Sequence, residues 1–208
     1  MKKTLMTMAI TAFLAASALP ALAEDSYLAL KVGGFLPNGK GDATSQGGFK
    51  DFDTGYDVEV AFGFRPATYA AIELGSGFYS TQRQITATAL REKATAYGVP
   101  VTATVKGILN LEKTDLFAGA GAGYYFGVLT RDRTEGTQPT QSSSSHGNAL
   151  GYHLCGGFDY NLSDRYSVGA EIKWFSAKPK FDDATGTGNQ VEWEFGGTVF
   201  NLGMKYKF

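Results

Sequence analysis

The last nine residues constrain the fold of this chain more than any other stretch. Their side chains alternate strictly, with apolar groups at Phe200, Leu202, Met204, Tyr206 and Phe208 and polar or small groups at Asn201, Gly203, Lys205 and Lys207. A period of two places these sets on opposite faces of a β-strand. A soluble sheet buries such an apolar face under a second layer, whereas a membrane barrel turns it to lipid. Because the sequence ends at Phe208, we expect no later segment to cover this face, which favours the barrel.

The first 23 residues have the pattern of a secretory signal peptide. Lys2 and Lys3 give the positive start, residues 5–18 the apolar run and residues 21–23 (Ala-Leu-Ala) the small-residue cleavage site. The alternative, a membrane-anchoring helix, is disfavoured by the short apolar run and by Pro20. We therefore expect residues 1–23 to be cleaved and residues 24–208 to form one domain. That domain has no apolar run near the ~18 residues of a spanning helix, so a membrane location would require a barrel.

Eight stretches of this domain alternate and are predicted as strands, at 27–36, 54–65, 69–80, 99–109, 115–129, 149–160, 165–176 and 193–208. Short turns at 66–68, 110–114 and 161–164 alternate with long segments at 37–53, 81–98, 130–148 and 177–192. Strands of about ten residues and this alternation of connections are typical of membrane barrels. We expect a helical turn within 84–94 and flexibility in 130–148, which contains a serine run. The predicted fold is all-β, an eight-stranded antiparallel up-and-down transmembrane β-barrel.

Every second side chain of a strand faces the same side of the sheet, and we call this strand parity. It also predicts two belts of aromatic residues around the outside of the barrel. Outward aromatic residues fall near strand ends, at Phe64, Tyr160, Tyr166 and Phe208 on one rim and at Tyr56, Phe78, Tyr152 and Trp174 on the other. Tyr and Trp are enriched at membrane–water interfaces because their rings are amphipathic. We expect the two rims to lie at the two interfaces.

The same parity turns seven charged residues into the lumen: Lys31, Glu59, Glu73, Lys106, Glu171, Lys173 and Lys205. Most lie three to six residues from a predicted turn, which places them in one layer at mid-depth. Ionised groups in a confined interior are costly unless they are paired. We therefore predict a cross-strand ion-pair network that closes the lumen. The alternative is a charge-lined conduit.

Other candidate chemistry is weak. Residues 119–123 (Gly-Ala-Gly-Ala-Gly) have the glycines of a dinucleotide loop, but a strand and not a helix follows. His153 and Cys155 share lumen-facing parity, but two ligands do not make a zinc site. On the lipid face, Ser76 and Thr198 are scattered hydroxyls without a catalytic partner. We predict no enzymatic activity, no cofactor and no metal.

Composition excludes further classes of function. The formal net charge of −1 gives no basic surface for nucleic acid. Cys155 is the single cysteine, so no internal disulfide can form. The inward glycines among the 27 present are expected to make room in a narrow lumen, with isolated water pockets.

Three motifs carry a resemblance to a known family: residues 69–73 (Tyr-Ala-Ala-Ile-Glu), residues 119–125 (Gly-Ala-Gly-Ala-Gly-Tyr-Tyr) and the closing Tyr206-Lys-Phe208. With the eight-strand pattern, the chain resembles the small eight-stranded bacterial outer-membrane β-barrels, opacity-type proteins and the transmembrane part of outer membrane protein A. The resemblance implies an outer-membrane location, extracellular loops and periplasmic termini. It also implies that Tyr206 and Phe208 act as a C-terminal signal for the outer-membrane assembly machinery.

The function implied by this resemblance is structural or interactive. We expect a surface protein whose four extracellular loops meet lipopolysaccharide or an unidentified surface ligand or receptor. Arg83, Arg91 and Lys93 give the second long segment a basic bias that suits lipopolysaccharide phosphates, although a solvated loop also explains it. The alternative function is a narrow conduit for small apolar solutes, similar to the outer membrane protein W type.

Overall fold

A closed barrel of eight antiparallel strands forms the protein. The computed structural model describes residues 26–38, 52–87, 90–135, 141–182, 190–192 and 195–208; the predicted signal peptide lies outside these residues. The barrel strands are β1 (Ser26–Pro37), β2 (Gly55–Ala67), β3 (Ala70–Ala87), β4 (Leu90–Leu111), β5 (Thr114–Glu135), β6 (Gln141–Asn161), β7 (Tyr166–Ala177) and β10 (Phe195–Lys207). Each pairs with its neighbours in sequence, and β1 pairs with β10 to close the ring. A small hairpin, β8 (Lys180–Asp182) and β9 (Gln190–Glu192), lies between β7 and β10.

The two faces of the barrel wall have opposite character, as the period-two pattern predicts. On β1, Ala29, Lys31 and Phe35 are buried in the lumen, while Leu30 and Val32 are about half exposed on the exterior. On β10, Asn201 is buried, whereas Leu202 is 70% exposed. Large apolar side chains therefore cover the exterior of the barrel, and polar and aromatic side chains fill its interior. In the described residues, no helix has the length and apolarity that crossing a membrane requires.

Four strands are much longer than the sequence pattern predicts. β4 and β5 each have 22 residues, against 12 in β1 and β7. The helical turn expected within 84–94 is wrong, because residues 84–87 and 90–94 belong to β3 and β4. The long connecting segment expected at 130–148 is also wrong in part, because β5 continues to Glu135 and β6 begins at Gln141. Hydrogen bonding between neighbouring strands holds these segments extended where their side chains no longer alternate.

Three tight turns join strands at one end of the barrel, which we call the turn end; the opposite end is the loop end. The turns are Thr68–Tyr69, Glu112–Lys113 and residues 162–165. Pro66 and Asn110, expected in turns, lie instead within the last two residues of β2 and β4. Pro66 is tolerated there because the β2–β3 register shifts between Phe64 and Ala67. Glu112 adopts a φ of 45°, in the left-handed region.

Aromatic side chains gather on the exterior near both ends. At the loop end, Phe78 has its ring centroid 6.0 Å from that of Tyr56 and 5.8 Å from that of Tyr97, and Tyr152 packs 5.6 Å from Trp174. At the turn end, the Tyr206 ring lies 5.3 Å from both Tyr166 and Phe208. Phe64 and Tyr160, expected at the turn end, are exposed outside the barrel there. The apolar exterior thus has an aromatic border at each end.

Candidate functional site

Six charged side chains meet in the middle of the lumen, and we call them the charge layer: Lys31, Glu59, Glu73, Lys106, Glu171 and Lys173. Lys31 on β1 is central, because its Nζ donates to Glu59 and Glu73 at 2.8 Å and to Glu171 at 3.1 Å. Lys31 and Glu59 are direct register partners on adjacent strands, whereas Glu171 reaches Lys31 across β10. Three carboxylates thus surround one ammonium group.

The other two lysines complete the charge balance of the layer. Lys106 Nζ lies 2.9 Å from both Glu73 and Glu171. Lys173 pairs with Glu59 and lies 3.5 Å from Glu171. The side chains of all six residues are at most 8% exposed. Three positive and three negative groups in mutual contact satisfy the requirement that buried charges be paired, and they leave no excess charge of one sign to select a permeating ion.

Lys205, which the sequence places in the same layer, lies in a separate cluster nearer the turn end. It pairs with Asp159 on β6, and its Nζ sits 4.8 Å from the Tyr27 ring centroid and 5.0 Å from that of Phe117. The Tyr27 hydroxyl donates to Glu73 at 3.0 Å. The two clusters are therefore joined through Tyr27. Asp159 has inward parity on β6, but its pairing with Lys205 was not predicted.

Polar contacts and two small cavities occupy the lumen toward the turn end. Arg65 and Asp115 form an ion pair at 3.2 Å, and Lys207 donates to Asn161 at 2.7 Å. The cavities have volumes of about 10 and 20 Å³, each close to the size of one water molecule. Both are lined by Lys205 together with Asp159 and Phe117. This half of the lumen is polar, with room for single waters.

A cluster of rings fills the lumen on the loop-end side of the charge layer, and we call it the aromatic cap: Phe35, Tyr79, Tyr125, Phe175 and Phe195. Phe175 is stacked on Tyr125 with 5.3 Å between centroids and also contacts Phe35 at 5.6 Å and Tyr79 at 5.4 Å. All five rings are at most 3% exposed. The aromatic cap therefore forms a tightly packed apolar layer between the charge layer and the loop end.

Glycines create room for two of the lumen rings, Tyr79 of the aromatic cap and Tyr27 nearer the turn end. A Cβ added at Gly98 would overlap the Tyr79 ring, and one at Gly63 would overlap the Tyr27 ring. The expectation that inward glycines leave water pockets is wrong at Gly63, where the Tyr27 ring occupies the space. A side chain from a neighbouring strand fills each vacated volume, as close packing of the interior favours.

Two polar contacts in the lumen were not predicted. Asp57, 6% exposed, accepts a hydrogen bond of 2.8 Å from Asn201 Nδ2 on β10. His153 Nε2 lies 2.8 Å from Thr104 Oγ1, while its Nδ1 has no partner among the described residues. Asp57 and Asn201 both stand on inward faces, so parity was a sufficient signal to place them but not to pair them.

The remaining candidate residues do not assemble into a catalytic or metal site. Cys155 is a buried free thiol, and within the described parts of the chain no three His, Cys, Asp or Glu side chains are placed to hold a metal ion. Ser76 on β3 donates to the Pro100 carbonyl at 3.0 Å, and Thr198 lies on β10, beyond β1 and β2. These two hydroxyls cannot act together.

The proposed assembly residues lie at the seam that closes the barrel. Tyr206 pairs with Leu28 of β1 on one side and with Tyr166 of β7 on the other. The Phe208 amide donates to the Ser26 carbonyl at 3.0 Å, and the residue is 56% exposed. The last residue is thus bound through its backbone, with its side chain presented to the surroundings.

Comparison with known proteins agrees with this architecture. The model of a family described as outer membrane protein beta-barrel domain matches residues 9–208. Two solved structures with similar folds are OprG of Pseudomonas aeruginosa and a major outer membrane protein of Thermus thermophilus. OprG has 19% identity and a TM-score of 0.57, covering 88% of this chain and 95% of its own. The Thermus protein has 13% identity and a TM-score of 0.55, covering 88% and 99%.

Neisserial surface protein A is also similar, with 13% identity, a TM-score of 0.52 and coverage of 89% of this chain and 98% of its own. A search of curated proteins gave no match. At these identities the solved structures show a common fold and nothing finer.

Proposed function

Because the chain belongs to the outer membrane protein β-barrel domain family and so is a protein of the bacterial outer membrane, we propose that it is a closed surface barrel. In this role the wall anchors the protein in lipid, and the loops and strand extensions at the loop end carry the interactions. The lumen passes no solute, and no catalytic role is assigned. The partners are lipopolysaccharide in the same membrane and an unidentified ligand or receptor outside the cell.

The observation that carries this proposal is the double closure of the lumen. An ion moving through the barrel would have to separate the paired charges of the charge layer and then displace the stacked rings of the aromatic cap. Eight strands enclose an interior just wide enough for side chains to fill it. Opening a water-filled path would therefore break the ion pairs and the ring packing together.

The orientation follows from the asymmetry of the two ends. Three turns of two to four residues join strands at the turn end, where β1 also begins and β10 ends. Outer-membrane barrels have short periplasmic turns and longer extracellular loops. The proposal therefore places both termini in the periplasm and residues 81–98, 130–148 and 177–192 at the cell exterior.

Conductance in planar bilayers tests the closed lumen. We expect the wild-type protein to show no steady channel, and Glu171→Ala to show intermittent openings because Lys106 loses one of its two carboxylate partners. A steady wild-type conductance that is unchanged in Glu171→Ala and Lys106→Ala would contradict the proposal and favour an open path.

A second function, the conduit for small apolar solutes, is favoured by one feature of the wall. The β3–β4 ladder is paired at Ser76–Val101 and again at Tyr79–Gly98, but not at the two positions between. Pro100, which has no N–H to donate, lies in this gap. The backbone pairing of the lipid-facing wall is interrupted there, and a lateral path would start from this point.

Uptake of N-phenyl-1-naphthylamine by intact cells separates the two functions. The closed-barrel proposal expects the same uptake rate with and without the protein. The conduit expects faster uptake, with the increase lost in Pro100→Ala because the restored N–H can complete the ladder. A protein-dependent increase would therefore overturn the closed barrel as the sole function.

A further inference from the structure

The long strands carry a polar sheet face beyond the aromatic border of the loop end. Two rows of outward-facing residues cross β3 to β6 in register, and we call them the outer strip: Gln82, Thr95, Thr130 and Ser144 in one row and Gln84, Lys93, Asp132 and Ser142 in the next. Both rows share the parity of the exterior residues Tyr97 and Phe126. The strip is therefore an upward continuation of the lipid-facing surface.

Hydroxyl and amide groups dominate the outer strip. Thr130 Oγ1 lies 3.3 Å from Ser144 Oγ, and Ser142 donates to Asp132 at 2.6 Å. A hydroxyl offers one donor and two acceptor sites, so each retains capacity for a further partner. Gln82, Ser142 and Ser144 are exposed to accept one.

The charge of the strip does not suit a phosphate. Its described charged side chains are Lys93 and Asp132, which balance each other. Arg83 of the same region has inward parity, with its guanidinium carbon 5.8 Å from the Phe52 ring centroid. Phosphate recognition uses clusters of cationic donors. A neutral, hydroxyl-rich ligand such as a saccharide is the better complement.

The rows immediately below join the strip to the lipid surface. Tyr97, Val128 and His146 form the next row, and Val99, Phe126 and Asn148 the one below it. The Tyr124 hydroxyl donates to Asn148 at 2.6 Å. Tyrosine places its ring in the apolar layer and its hydroxyl at the polar boundary. The sheet thus passes from lipid-facing aromatic rings to hydroxyl groups within about four residues along each strand, or roughly 10–15 Å.

From this continuity we propose that the outer strip binds the saccharide of lipopolysaccharide molecules whose acyl chains pack on the wall below. The sugar hydroxyls bond to Gln82, Thr130 and Ser144, and the tyrosine rings pack under the sugar at the membrane boundary. The assignment relies on the outward orientation proposed above for the loop end. It goes beyond the proposed function by naming the binding face and by selecting the sugar over the phosphates.

Thermal unfolding in reconstituted bilayers tests this face. The wild-type protein is compared in vesicles that contain lipopolysaccharide with its full core saccharide and in vesicles that contain lipid A alone, which keeps the phosphates. We expect the full core to raise the unfolding midpoint by about 4 °C, a shift typical of a ligand present well above its dissociation constant. The shift should persist in 0.5 M NaCl because it does not depend on charge.

A triple variant, Gln82→Ala with Thr130→Val and Ser144→Ala, should lose the shift. Ser143→Ala is the matched control, because Ser143 lies on β6 next to Ser144 with the opposite parity, and it should keep the shift. An equal shift with lipid A alone, loss of the shift in salt, or an unchanged shift in the triple variant would overturn the proposal. So would binding of a free glycan to the strip with no shift from lipopolysaccharide.

Because lipopolysaccharide is present in both leaflets of these vesicles, the outcome does not depend on orientation in the cell. If the shift is absent while an impermeant reagent labels the loop end on intact cells, the saccharide site is rejected and the closed barrel stands. If the shift is present but the reagent labels the turn end on intact cells, only the proposed orientation is rejected.

Discussion

At the scale of single residues, the charge layer is stable only as a complete set. Glu171 accepts from Lys31 and Lys106 and lies near Lys173, so its removal leaves three ammonium groups facing two carboxylates. Breaking a buried ion pair by removing one partner costs about 3–5 kcal/mol, because the remaining charge stays desolvated. We expect Glu171→Ala to lower the free energy of unfolding in vesicles by that amount.

The control for Glu171→Ala is Glu92→Ala. Glu92 forms a looser pair of 4.0 Å with Arg83, and both side chains are partly exposed. Pairs of this kind contribute about 0–1 kcal/mol. Equal losses in the two variants, measured by urea titration, would show that the charge layer is not buried.

Packing at Gly98 gives a second prediction. A methyl group at Gly98 would overlap the Tyr79 ring, whereas one at Gly107 on the same strand meets nothing nearer than the Ala118 carbonyl at 3.9 Å. Overpacking a core costs about 1–3 kcal/mol. We expect Gly98→Ala to lose stability by about this amount and Gly107→Ala to remain close to wild type. A stable Gly98→Ala protein would mean that the aromatic cap is loosely packed.

The sequence predicted which residues face the lumen but not which of them meet. Parity is a property of one strand, so it placed Lys31, Glu171 and Lys205 inside without reference to the rest of the barrel. Pairing depends on the relative stagger of all eight strands and on the reach of each side chain. For that reason Lys205 was expected in the charge layer, although it pairs with Asp159.

At the scale of elements, β10 carries the third prediction. We expect deletion of Phe208 to reduce the folded, heat-modifiable protein in cell membranes, with little effect on refolding of the purified protein into lipid. The reason is that Phe208 adds one backbone bond to Ser26 and exposes its ring at the turn end. Phe200→Ala, an exposed residue of the same strand, is the control and should assemble normally. Equal losses in cells and in purified refolding would indicate a stabilising residue without a signalling role.

The membrane-spanning parts of the strands were predictable, and their extensions were not. Lipid on one face and lumen on the other impose strict alternation on about ten residues of each strand, so residues 99–109 and 115–129 were recognised. Beyond the lipid, water reaches the outer face and the alternation weakens, as in the serine run 142–145 of β6. Only the pairing of β6 with β5 shows that this run is a strand.

At the scale of the whole molecule, the fourth prediction concerns orientation. In a Cys155→Ser background, Thr137→Cys between β5 and β6 should react with a membrane-impermeant maleimide in intact cells. Lys113→Cys at the Glu112–Lys113 turn should react only after the outer membrane is permeabilised. The reverse pattern would invert the proposed topology.

Because its strands differ in length, the described barrel is taller on one side than on the other. At a rise of ~3.4 Å per residue and a tilt of about 40°, the 22 residues of β4 and β5 reach a height of roughly 55 Å, about twice the apolar band. The 12 residues of β1 and β7 reach only about 30 Å. A neighbour diffusing in the same leaflet therefore meets a tall wall of described strands on one flank and a low rim on the other, so the protein is not equivalent from all sides.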